Sequence, residues 1–221
     1  MANILITGAN RGIGAEMAKQ MVKAGHQVIG TSRVVSDDLG NWHDWLTLDV
    51  TDPTSLAAFK AAIADKNIDL LVCNSGVYLD KDHELDTGHD AGSWAATMAV
   101  NVAGTFATIQ ALLPNLRRSS GKIAVISSLM GSNTRASGGG YIYRASKAAV
   151  TNLVSNLALD LKSENIAIGA YHPGWVVTDM GGSDADIDVE TSATGLLQRF
   201  DALSIVTSGT FESYDGEKLP Y

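Results

Sequence analysis

One cysteine among 221 residues, Cys73, rules out an intramolecular disulfide and a cysteine-based metal site. It ends an apolar run, where a small buried side chain fits. Basic residues are the minority charge, 16 Lys and Arg against 24 Asp and Glu, giving a net charge of −8. No basic stripe appears, which argues against nucleic acid and anionic membrane surfaces as partners. Prolines number only four, and no Pro/Ser linker, low-complexity tract or internal repeat divides the chain. Residues 1–221 therefore read as one domain. Long apolar runs are also missing: none approaches the roughly 20 residues of a membrane helix. The first, Ile4-Leu5-Ile6, leads straight into glycines rather than into a signal-peptide cleavage site. A soluble, intracellular protein, taken as cytoplasmic, is the expectation.

What is present is ordinary globular composition, 45% apolar and 18% charged, at a length that suits one α/β domain. Short apolar runs alternate with helical patterns. Strands are predicted at 3–7, 27–31, 45–48, 68–73, 122–126 and 166–171, with a weaker one near 210–214. Runs such as Leu70-Leu71-Val72 do not alternate with polar residues, as expected of strands buried on both faces of a parallel sheet. Helical stripes fall between them: Ile13, Met17 and Met21; Leu56, Phe59 and Ile63; a long one over 92–116; and Val150, Leu153, Val154, Leu157 and Leu161 within 143–162. A further helix is predicted near Thr191. Alternation with short links predicts a doubly wound, mostly parallel Rossmann-type sheet of about seven strands, with right-handed crossovers. The polar stretch 80–90, with His83 and His89, matches no metal spacing and reads as a solvated loop.

Residues 7–14, T-G-A-N-R-G-I-G, join the first strand to the first helix. Gly8 suits a tight turn, Gly12 lets backbone approach a pyrophosphate, and Gly14 allows close helix–strand packing. The helix N-terminus adds unpaired N–H groups for phosphate oxygens. The spacing T-G-x-x-x-G-x-G resembles the short-chain dehydrogenase/reductase family, and the tail S-G-T-F-E-S-Y-D-G-E-K-L-P-Y resembles that of its small carbonyl-reductase-like members. That resemblance makes Gly8, Asn10, Arg11, Gly12, Ile13 and Gly14 a nucleotide cradle.

At the end of the second strand, Ser32 stands where an acid would bind the ribose hydroxyl of NAD. Arg33 adjoins it and Arg11 lies in the glycine loop, so two guanidinium groups could face the extra phosphate of NADP. Two surface arginines are the plain alternative, and Asp37 and Asp38 weigh against the preference. The resemblance further implies an adenine contact at Asp49-Val50. It aligns Asn74-Ser75-Gly76 with a family segment whose asparagine braces a strand. It also places Pro173-Gly174, a backbone amide near Val176 and the Thr178 hydroxyl around the nicotinamide.

Tyr143 and Lys147 are one helical turn apart in Y-R-A-S-K, whereas Tyr141 has Ala145 at that distance. An ammonium beside a phenol favours the phenolate, which makes Tyr143 an acid/base and predicts a lowered tyrosine pKa. The family pattern I-S-S-x-x-G places the working hydroxyl at Ser128, although a serine pair can simply satisfy a strand end. Asn101 would complete a tetrad by holding a water that links the lysine to solvent; a satisfied core asparagine is the other reading. His172 reads as structural. The short stretch 179–190 forms the substrate loop, and Met130, Tyr141, Trp175 and Tyr78 are candidate apolar walls of an open pocket.

The expectation is an NADP(H)-dependent oxidoreductase acting on a small carbonyl or alcohol, with no metal. By family resemblance it is a homodimer or homotetramer. An NAD-linked alcohol dehydrogenase working oxidatively, and a non-catalytic NADP-binding regulator, are the rivals.

Overall fold

The computed structural model describes residues 1–35 and 44–221. Asp37 and Asp38 lie outside the described residues. Seven strands form one sheet: β1 (Asn3–Ile6), β2 (Gln27–Ser32), β3 (Asp44–Thr47), β4 (Leu70–Cys73), β5 (Lys122–Ile126), β6 (Ala167–His172) and β7 (Phe211–Ser213). Their order is β3-β2-β1-β4-β5-β6-β7, and every pairing is parallel. Among the described residues all the named strands thus pair in parallel, as expected of a doubly wound sheet.

Helices α1 (Gly12–Lys23) and α6 (Val189–Ala202) cover one face. Helices α2 (Pro53–Ala62), α4 (Thr105–Ser119) and α5 (Tyr141–Asp160) cover the other. Consecutive strand residues point to opposite faces, so Ile4 and Ile6 pack with Met17, Leu196 and Phe200, while Leu5 packs with Phe59, Ile109 and Leu112. This two-sided burial is why the strands read as unbroken apolar runs. Truncating one such residue, Leu5→Ala for example, is worth about 2–5 kcal/mol of stability.

Helix α3 (Ala91–Met98) runs into a π-helical turn, Ala99–Gly104, and on into α4. By length and composition this 29-residue helix is apolar enough to cross a membrane, which corrects the reading that no segment is. Its interspersed Thr, Asn and Gln residues hid it from a search for a continuous apolar run. Thr97, Asn101, Thr105, Thr108, Ile109, Leu112 and Asn115 are buried, so one face of it belongs to the core.

Winding reverses between β1 and β4: β2 and β3 lie to one side, β4 to β7 to the other. A crevice forms outside the carboxyl ends of strands at such a point. The glycine loop follows β1 directly, Asn74-Ser75-Gly76 follows β4, Ser127-Ser128 follows β5, and Pro173-Gly174 follows β6. The topology gathers four segments from across the chain at one edge.

Candidate active site

The glycine loop is held from below. The Asn74 amide donates to the Thr7 and Gly8 carbonyls, both at 3.0 Å, and the Thr7 hydroxyl accepts from the Asn74 and Ser75 amides. A Cβ on Gly14 would stand 2.5 Å from Asn74 Nδ2 and from the Gly8 carbonyl, so only glycine seats α1 this closely. Gly8 and Gly12 adopt positive φ, +64° and +55°. Arg11 is the N-cap residue of α1, and its side chain makes no capping bond. The first-turn amides therefore face the crevice without that local acceptor, and the cradle fits a dinucleotide pyrophosphate.

Ser32 ends β2 as a buried, uncharged residue, and Arg33 beyond it is exposed. Arg11 is ion-paired with Asp179 across the crevice. The two are 168 positions apart in sequence. Both side chains are largely exposed, so this pair contributes little and opens readily. Asp49 is engaged locally: its carboxylate accepts from the Thr51 amide and hydroxyl, which lower its pKa, and the Arg33 charge adds a smaller pull. The Val50 side chain packs in the core against the position of Gly104.

Three of the four candidate catalytic residues converge at the start of α5. Tyr143 and Ser128 are both buried and line the same cleft, the Ser128 hydroxyl acting on the Tyr143 phenol. Ser128 opens a short turn in which its hydroxyl accepts from the Met130 amide at 3.1 Å. Ser127 points the other way, to the Thr151 hydroxyl at 2.6 Å and the Lys147 carbonyl at 3.3 Å. A Cβ on Gly131 would lie 2.7 and 2.8 Å from the backbone of Lys147 and Ala148, so the turn carrying Ser128 rests directly on α5. Lys147 is buried, its ammonium donating to the Ile126 carbonyl at 2.7 Å and standing 5.5 Å from the Tyr143 ring centre.

The expected lowering of the Tyr143 pKa is not found. Burial pushes the phenol up to about 12, with the Ser128 hydrogen bond pulling the other way. Burial lowers Lys147 to about 8. Desolvation wins on both because neither charged form has a full counter-charge beside it.

The Asn101 side-chain oxygen accepts from the Val77 amide at 2.8 Å, and its amide donates to the Val77 carbonyl and the Ser146 hydroxyl, both at 2.9 Å. Both amide protons are engaged, so this side chain braces the π-turn and β4's exit, as the reading of a satisfied core asparagine has it. Gly76 borders the same spot, where a Cβ would come 3.4 Å from Asn101 Oδ1 and 3.7 Å from Lys147 Nζ.

Ile13, Ser128, Met130, Tyr143, His172, Pro173, Gly174, Trp175, Val176 and Thr178 line one cleft of about 870 Å³. Tyr78, Met180, Ile187 and Tyr214 extend its walls. Tyr141 does not line it; that ring packs edge-on against His89 instead. Tyr78, also an expected wall, does line it, stacked on the Tyr143 ring at 4.2 Å. The Thr178 hydroxyl is already engaged, accepting from Gly181 N at 3.0 Å and donating to the Val176 carbonyl at 3.2 Å. The substrate loop is strapped down by Lys81, which donates to the Met180 carbonyl at 3.1 Å, and by the Trp175 indole on Gly181 at 2.9 Å. His172 is kept neutral by burial, its pKa lowered to about 4.

The stretch 80–90 is not simply a solvated loop. Asp80 is completely buried, and the His83 and His89 rings are half-buried against each other. Its five acidic residues hid one that points inward. Among the described residues no group of His, Cys, Asp and Glu could hold a metal ion.

Residues 2–187 match the short chain dehydrogenase family. The chain is 33% identical over 179 residues to the C-signal protein of Myxococcus xanthus, a match spanning 75% of this chain and all of that protein. It is 31% identical to a 1-hydroxy-2-glutathionyl-2-methyl-3-butene dehydrogenase of a Rhodococcus species, across the full length of both. The structure superposes on an NADPH-bound carbonyl reductase from chicken fatty liver with a TM-score of 0.89, covering 100% of this chain and 99% of the other at 28% identity. The chain belongs to the short-chain dehydrogenase/reductase family and is an NAD(P)-dependent oxidoreductase of carbonyl-reductase-like fold.

Proposed function

We propose that the protein reduces a small carbonyl compound with NADPH, Tyr143 serving as the acid. The observation that carries this reading is the meeting of Tyr143, Ser128 and Lys147 at the floor of a cleft that continues to Ile13 and Val176 beside the glycine loop. Bound in that cradle by Gly8, Asn10, Gly12, Ile13, Gly14, Asn74, Ser75 and the 173–178 segment, the nicotinamide supplies the hydride. Ser128 and Tyr143 hydrogen-bond the carbonyl oxygen, and Tyr143 releases its proton to it as negative charge develops. A phenol held at about 12 is protonated near neutral pH, the state the acid role requires. Lys147 steadies the phenolate left behind. Asn101 serves this site by bracing Val77 and Ser146.

NADPH is the preferred cofactor in this reading because β2 runs into Ser32-Arg33, an uncharged residue and an exposed cation, rather than an acid. Arg11 joins in when it leaves Asp179. Tyr78, Met130, Trp175 and Met180 give the cleft apolar walls that suit aromatic or aliphatic groups. As the family resemblance implies, the working unit is a homodimer or homotetramer.

The test is NADPH oxidation over a panel of aldehydes, ketones and quinones, including benzaldehyde, acetophenone and benzoquinone. Turnover of at least one member is expected, with a KM for NADPH at least tenfold below that for NADH. Tyr143→Phe should lose turnover while still binding NADPH; a substantial residual kcat there overturns the acid assignment.

A further inference from the structure

Helix α5 begins without a cap of its own. Its N-cap residue is Gly140, the third of three consecutive glycines at positive φ, which has no side chain to satisfy the first-turn amides. The missing acceptor comes from elsewhere in the chain. The Asp80 carboxylate, fully buried, accepts from the Ile142 amide at 2.7 Å and from the Tyr143 amide at 3.2 Å. These partners are 62 and 63 positions away. A buried carboxylate is tolerated only where donors compensate it, and these two N–H groups sit at the positive end of a 20-residue helix. The other near neighbour is a histidine: His89 Nε2 lies 4.0 Å from Asp80, its ring edge-on to His83 and Tyr141.

Two residues before Asp80, Tyr78 lies flat on the Tyr143 ring at 4.2 Å and 19°. One short segment leaving β4 therefore grips the catalytic tyrosine twice, by its backbone amide and by its ring. We propose that Asp80 is a positioning residue for the reaction, its carboxylate fixing the first turn of α5 so that the Tyr143 phenol meets Ser128. Ser146 and Lys147 anchor the following turn, through Asn101 and the Ile126 carbonyl. This inference rests on the reading of Tyr143 as the acid.

The experiment compares Asp80→Ala, Asp80→Asn and Tyr143→Phe with the wild type, using NADPH and the carbonyl of the panel that turns over fastest. Folding is followed by circular dichroism and NADPH affinity by fluorescence titration. Asp80→Ala should lower kcat about 10- to 100-fold, the scale set by a small misplacement of a catalytic group, with NADPH affinity unchanged. Asp80→Asn keeps one acceptor oxygen for two amides, so its kcat should fall between the two. Hydrogen exchange at Ile142 and Tyr143 should quicken in both variants, while Val150 and Val154 stay protected. Wild-type kcat in folded Asp80→Ala overturns the proposal, as does a loss of kcat matched by an equal loss of NADPH affinity. Should Asp80→Ala not fold, the near-isosteric Asp80→Asn decides: a reduced kcat with intact NADPH binding supports the role, and wild-type kcat with wild-type exchange overturns it. Residual turnover in Tyr143→Phe would instead strike the acid assignment, so the two failures are separable.

Discussion

Lys147 is a residue whose chemistry and stability pull in opposite directions. Burial holds its pKa at about 8, against an ordinary 10.5. Between those values the unfolded chain keeps a proton that the folded chain has released, so this group adds stability as pH rises through the window. Below about 8 its burial penalty stands in full. The Tyr143 and Cys73 shifts, both upward, occur equally in a Lys147→Met variant and cancel in the comparison. Chemical denaturation of wild type and Lys147→Met should therefore show the difference moving by about 2–3 kcal/mol in favour of the wild type from pH 8 to pH 10. A constant difference would mean that the lysine is not desolvated. Reductive kcat should fall over the lower part of the same window as the ammonium is lost, well before a phenol held at about 12 gives up its proton. At this scale the sequence conveyed what local spacing can carry. Tyr143 and Lys147 are one turn apart on a helix, and the order Ser127-Ser128 follows a strand. Nothing local announces that Asp80 turns inward, that Arg11 meets Asp179, or that Tyr141 packs on His89 instead of walling the cleft, because each partner lies tens of residues away.

Among the elements, the Ser128 turn and α5 form the tightest joint. Gly131 permits their backbones to touch, and a methyl group there would press within 2.8 Å of Lys147 and Ala148 backbone atoms that cannot swing aside. Gly131→Ala should lose about 1–3 kcal/mol of stability and 10- to 100-fold in kcat. NADPH affinity should hold, since the glycine loop is braced separately by Asn74. Thermal melts with steady-state kinetics would check both; unchanged kcat would show that the joint has slack. Element boundaries were legible to within a few residues because two-sided burial gives strands a continuous apolar signature. The start of α5 at Tyr141 rather than Tyr143 was not, since its cap is supplied by a residue from another loop. The π-turn around Asn101 was hidden for a similar reason: the bonds that pay for it run to Val77 and Ser146.

For the molecule as a whole, ligand and fold should share one energy. NADPH at 100 times its Kd adds about 2.7 kcal/mol, which at roughly 2–4 °C per kcal/mol raises the melting temperature of a chain this long by about 5–11 °C. NADH at the same concentration should raise it less, and Arg33→Ala should narrow the gap. Equal shifts for the two cofactors in differential scanning fluorimetry would remove the case for NADPH. The doubly wound sheet was the most legible feature of all, because alternation of strand and helix leaves few ways to wind a parallel sheet.

The sheet order has a consequence for how the protein comes into being. The cradle after β1 is braced by residue 74, the catalytic helix is capped from residue 80, and the cleft is walled from 175 and 214. A nascent chain that has released β1, β2 and α1 from the ribosome holds the whole glycine motif and yet no seat for it. The site closes only after β6 has emerged and paired. NADPH therefore cannot help the early chain to fold, and binding should appear in stalled nascent chains only once they extend well past His172.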